Sequence, residues 1–119
     1  MLTIAAFARP APAQETPGGF VRIAELDIDA AQLDAFKAAI RESIETAVRV
    51  EPGVLALYAI SDKHNPARIT VFEIYADAEA YRTHLETPHF RQFRDTTDRM
   101  VRSRKLSDAV PLALGAKPR

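Results

Sequence analysis

The alternation of apolar and polar positions becomes regular at Phe20. The run FVRIAELDI over Phe20–Ile28 is dense in strand-forming residues and predicts a β-strand. Asp29 and Gln32 then stand three apart as N-cap and N3 of a helix, a pairing that satisfies free amides at a helix start. From there to about residue 50, Leu33, Phe36, Ile40, Ile44, Ala47 and Val48 recur at helical spacing. Asp34, Lys37, Arg41, Glu42, Glu45 and Arg49 fill the opposite face. Pro52 and Gly53 end the helix, the first by lacking an amide hydrogen, the second by tolerating a left-handed turn. Two strands follow over 54–60 (VLALYAI) and 68–75 (RITVFEIY), joined by the turn-forming loop SDKHNPA. Asp77 caps a short helix over 78–86, and Thr87-Pro88 starts another over about 89–102, with Phe90, Phe93, Thr97, Met100 and Val101 inward. A last strand is expected over 110–114 (VPLAL), at an edge because of Pro111. The order β-α-β-β-α-β predicts an α+β, ferredoxin-like split βαβ domain over residues 20–119.

The two hairpin strands carry apolar residues on both sides, whereas an antiparallel strand with one wet face should alternate. Helices can cover one face of such a sheet. The economical cover for the other is a second copy of the chain, so a homodimer is expected.

Residues 1–19 break this regularity. An apolar stretch over 2–8 followed by Ala11-Pro12-Ala13 resembles the second half of a secretory signal, but no basic segment precedes it. Two readings stay open: an export remnant behind a truncated start, placing the protein in the periplasm or outside the cell, or a flexible cytoplasmic tail.

Composition mainly excludes. The chain has 119 residues, 16 Lys+Arg against 16 Asp+Glu, and no Cys. Disulfide scaffolds, thiolate metal sites and thiol nucleophiles are thereby removed. Zero formal charge argues against a nucleic-acid binder, although basic residues outnumber acidic ones after His89. Neither common phosphate-loop pattern is present, and no apolar run approaches the roughly 20 residues that span a bilayer.

Candidate chemistry rests on a few side chains. His84 and His89 are five apart across a helix break, unlike the i,i+4 pair of a helical metal site. With no thiolate and no evident third ligand, no metal is expected. His64 falls in a loop and reads as solvated. His89, in the first turn of its helix, is disfavoured as an imidazolium by the helix dipole. Glu73 lies mid-strand between Phe72 and Ile74, on the face that carries Ile69, Val71 and Tyr75. A carboxyl buried there must be paired, with Arg22 for instance, or protonated. Tyr58 and Tyr75 can present hydroxyls to a pocket walled by Phe36, Phe72, Phe90 and Phe93, with Tyr81 beside His84; an aromatic stripe of this kind also serves as plain core.

Together, Glu51-Pro52-Gly53, Phe72-Glu73-Ile74-Tyr75 and the run Tyr81-x-x-His84-x-x-Thr87-Pro88-His89-Phe90 resemble the antibiotic biosynthesis monooxygenase family, quinol monooxygenases included. The resemblance spans about residues 20–114. It implies a dimeric α/β barrel and oxygenation of small electron-rich phenols or hydroquinones, with O₂ as co-substrate and no cofactor. It further implies His84 as base, Glu73 orienting it, Tyr58 and Tyr75 binding substrate oxygens, and His89 in reserve. Tyr81, Phe36, Phe90 and Phe93 would complete the binding pocket. The chain has no Trp and its one Asn is Asn65, so it departs from the Asn–Trp pattern of haem-degrading and polyketide-oxygenating members. Two alternatives stay open: an isomerase of phosphorylated sugar-like ketones, using His84 and Glu73 for proton transfer and C-terminal arginines for phosphate, and a non-catalytic dimer that binds a small ligand.

Overall fold

The strand at Phe20–Ile28 (β1) leads through a 3-10 turn, Ala30–Gln32, into a long helix, Leu33–Val50 (α1). A hairpin of Val54–Ser61 (β2) and Arg68–Tyr75 (β3) follows, then two short helices, Ala78–Leu85 (α2) and Pro88–Thr97 (α3). After a 3-10 turn at Asp98–Met100, the chain ends its regular structure with Val101–Ala109 (β4). These elements come from a computed structural model that describes residues 19–119. The reading of residues 1–19 as a tail or export remnant therefore lies outside the described residues, Gly19 excepted.

All strand pairs are antiparallel, in the order β2-β3-β1-β4. This is the expected ferredoxin-like α+β arrangement. The helices pack on one face, where Ala24, Leu26, Ile28, Phe36, Ile69 and Val71 form one buried cluster and Ala47, Val54, Leu57 and Tyr75 a second. Phe36 and Tyr75 are fully buried. Asp29 caps the entry to α1 as read from sequence, accepting from the Ala31 amide and from Gln32 Nε2.

Three expectations need correction. The last strand is Val101–Ala109, not residues 110–114, and the helix before it ends near residue 97 rather than 102. Val101 pairs with Ile28, and the strand is an edge rich in Arg and Lys, so its apolar alternation is nearly erased. Val110 and Leu112 are largely exposed. Gly53 is not left-handed; Gly19, at φ 68°, is the positive-φ glycine among the described residues. What Gly53 provides is room, since a Cβ there would lie 2.5 Å from the Ala80 Cβ. Finally, a bulge between Val54 and Ala56 shifts the strand's parity. Val54 and Leu57 both turn inward, while Leu55, Tyr58 and Ile60 are 52, 55 and 65% exposed.

Candidate active site

Between α1, α3 and the inner face of the sheet lies a cavity of about 390 Å³. Phe36, Phe90, Phe93, Ile40, Leu57 and Val71 supply apolar wall; Glu73, Tyr75, Tyr81 and His84 add polar groups, as do Arg94 and Arg104. The aromatic walls touch one another, Phe36 and Phe93 edge to face at 5.9 Å and His84 and Phe90 at 4.9 Å. A concave, mostly apolar site with a few converging polar groups is what small-molecule pockets share.

His84 comes from the last turn of α2 and is 5% exposed. Its Nδ1 lies 2.8 Å from Glu51 Oε2, and His89 Nε2 lies 2.5 Å from the same oxygen. Glu51 follows the last residue of α1, with its amide still bonded to the Ala47 carbonyl at 2.9 Å. Pro52-Gly53 then turns the chain so that the carboxylate points under α2. Thr87 locks the two histidine-bearing helices together: its hydroxyl donates to the His84 carbonyl at 2.7 Å and accepts from the Phe90 amide at 3.3 Å. The helix break read from Thr87-Pro88 thus carries His89 round to face His84 across one carboxylate.

An ionised carboxylate can only accept, so each imidazole donates to Glu51 through the nitrogen facing it. That assigns the neutral His84 tautomer: hydrogen on Nδ1, lone pair on Nε2. His84 Nε2 has no protein partner, yet no buried side-chain nitrogen or oxygen among the described residues goes unpaired. The lone pair therefore opens on the cavity that His84 lines.

Glu73 accepts from the Tyr75 hydroxyl at 2.7 Å. Burial raises its pKa, against the opposing pull of that hydrogen bond, His84 and Arg22. Burial also drives the Tyr75 phenol far up, with the Glu73 charge adding to it, so Tyr75 stays a donor. Tyr81 is raised by burial as well, less so because Arg22 sits over its ring, 4.9 Å from the centroid. Arg22 stands opposite Glu73 in the sheet but forms its ion pair with Asp108, at 3.4 Å.

The fold brings His84, Glu73, Tyr75, Tyr81, Phe36, Phe90 and Phe93 to one cavity. It separates Tyr58 and, among the expected walls, Phe72: both lie on the opposite face of the sheet, stacked on each other at 6.5 Å. It also changes the pairing: the carboxylate on His84 Nδ1 is Glu51, and Glu73 is engaged with Tyr75 instead. His89 is outside the cavity lining and acts on Glu51. His64 is exposed in its loop, its amide bonded to Asp62. Glu51 is the residue that sequence reasoning missed as a site member. Its signal was position: an acid at a helix C-terminus opposes the dipole and needs compensation nearby.

Comparison with known proteins supplies a family. The model of the family described as antibiotic biosynthesis monooxygenase matches residues 19–96. A crystal structure of a provisionally assigned antibiotic biosynthesis monooxygenase from Bacteriodes thetaiotaomicron VPI-5482 is 43% identical, with a TM-score of 0.80 over 84% of this chain and 95% of that one. A similarly assigned protein from Nitrosomonas europaea is 28% identical, with a TM-score of 0.74 over 78% of this chain and 89% of that one. A provisionally assigned monooxygenase from Lactobacillus acidophilus NCFM, 30% identical at a TM-score of 0.74, matches 78% of this chain but 45% of its own length.

Proposed function

The chain belongs to the antibiotic biosynthesis monooxygenase family, and from that premise we propose that it oxygenates small electron-rich phenols or hydroquinones in the aromatic cavity, with O₂ as co-substrate and no organic cofactor. The observation that carries this reading is that His84, in the lining of the aromatic-walled cavity, is paired through Nδ1 with the Glu51 carboxylate, which leaves Nε2 free to take a proton.

Triplet O₂ does not insert directly into a closed-shell molecule, but a phenolate can pass it one electron. The protein's task is to make and hold the phenolate. His84 Nε2 accepts the phenolic proton, and Glu51 stabilises the imidazolium that results. Tyr75 stays protonated but gives its one hydroxyl hydrogen to Glu73, so donation to the oxyanion falls to the Tyr81 hydroxyl, which also lines the cavity. Phe36, Phe90 and Phe93 exclude water around the charge. One oxygen atom enters the ring and the other leaves as water; a phenol plus O₂ gives a quinone plus water, with atoms and electrons balanced.

A second copy of the chain completes the proposal. The outer sheet face presents Leu55, Tyr58 and Ile60 to solvent, and a homodimer built on that face would cover them.

Arg94 and Arg104 also line the cavity, which gives the isomerase alternative its one favourable observation, since two guanidinium groups suit a phosphorylated ketone. Mass spectrometry of product formed under ¹⁸O₂ separates the readings. The oxygenase puts one heavy atom into the product. An isomerase turns over a phospho-ketose without O₂, and a binder turns over neither.

A further inference from the structure

Sequence spacing argued against a metal because His84 and His89 had no third partner. The fold supplies one. The ligand atoms of Glu51, His84 and His89 all lie within 4.8 Å of one another. The three side chains are 8, 7 and 18% exposed, so the cluster is buried and His89 is its edge nearest solvent. Each is anchored by regular structure: Glu51 at the end of α1, His84 in the last turn of α2, and His89 in the first turn of α3.

We propose that Glu51, His84 and His89 form a site for one divalent first-row transition ion, Zn²⁺ above all, on the far side of His84 from the substrate cavity. Two imidazole nitrogens and one carboxylate oxygen are the donor set such ions take, with water in the fourth position. A tetrahedral ion about 2.0–2.1 Å from each ligand sets them about 3.3 Å apart. The O···N separations of 2.8 and 2.5 Å therefore open by less than an ångström, which rotation of the Glu51 carboxylate can supply. The His84 Nδ1 and His89 Nε2 atoms, at most 4.8 Å apart, close toward the same spacing.

The site has a consequence for the cavity. Nδ1 of His84 gives its lone pair to the metal, and the ring's one proton sits on Nε2. The cavity then meets an N–H donor where it had met a base. Metal binding is thus expected to switch off proton abstraction. That consequence rests on the oxygenase reading, whereas binding itself does not.

The test uses the full chain, freed of metal with a chelator and titrated with Co²⁺. The expected result is one Co²⁺ per chain with the intense visible band of four-coordinate cobalt, displaced by Zn²⁺, retained in His64→Ala and lost in both Glu51→Gln and His89→Ala. No saturable band, or a band that survives either ligand substitution in a folded variant, overturns the proposal. Should a variant fail to fold, the wild type decides through its imidazole ¹⁵N resonances. Zn²⁺ must shift those of His84 and His89 together; movement of neither overturns the site. Metal binding in a protein that consumes no O₂ would leave this site standing and remove the oxygenase reading.

Discussion

His84 donates through Nδ1 to Glu51 Oε2 at 2.8 Å, a contact between residues 33 positions apart. The bond fixes which imidazole nitrogen is free, and the second donor on that oxygen, His89 Nε2 at 2.5 Å, holds the carboxylate still. Several outcomes are expected from this arrangement.

Glu51→Gln keeps the shape but replaces one oxygen with an amide nitrogen that donates. The amide cannot accept from both rings in the native manner, and the donating end favours the His84 tautomer with hydrogen on Nε2. Long-range ¹H–¹⁵N correlation spectra are expected to show Nε2 unprotonated in the neutral wild-type ring and a shift toward the other tautomer in the variant. The turnover number for O₂ consumption should fall by about 10²-fold or more, the scale of a lost general base.

Glu73 makes stability depend on pH in a defined direction. Burial raises its folded pKa above the ordinary 4.5. The folded state therefore holds the proton more tightly than the unfolded chain, and stability declines as pH rises from the unfolded value through the folded one. Glu73→Gln can still accept from the Tyr75 hydroxyl. Urea midpoints measured from pH 4 to 8 should show a shallower decline, and a gain over wild type toward neutral pH.

Gly53→Ala places a methyl 2.5 Å from the Ala80 Cβ. Overpacking of this kind costs about 1–3 kcal/mol. Because Ala80 lies on α2, the helix that carries His84, the substitution should lower the urea midpoint and weaken turnover together. A variant with full activity and unchanged midpoint would show that α2 moves freely over the turn.

Tyr58→Asp combined with Ile60→Asp puts charge on the outer sheet face without touching the cavity lining. Sedimentation velocity should report a dimer for the wild type and a monomer for the double variant. A wild-type monomer at micromolar concentration would contradict the proposed assembly.

The distribution of legible and illegible features follows from range. Phe36 and Ala47 on α1, and Glu73 on the inner face of β3, were readable because 3.6- and 2-residue periods are local. Tyr58 was misplaced because the bulge between Val54 and Ala56 changes parity, and one extra residue reverses the side on which every later residue lies. The final strand was missed because an edge strand such as Val101–Ala109 meets solvent and carries Arg102, Arg104 and Lys105 where alternation would show. The Glu51–His84 pair crosses 33 residues, and only the unfavourable place of an acid at a helix end hinted at it.

The most direct measurement is oxygen uptake with a panel of hydroquinones, wild type against His84→Gln, with far-UV circular dichroism confirming that both are folded. The account predicts uptake by the wild type, one O₂ for each quinol oxygenated, and a loss on the order of 10²-fold or more in the variant. No uptake with any member of the panel, or equal uptake by both proteins, would contradict it.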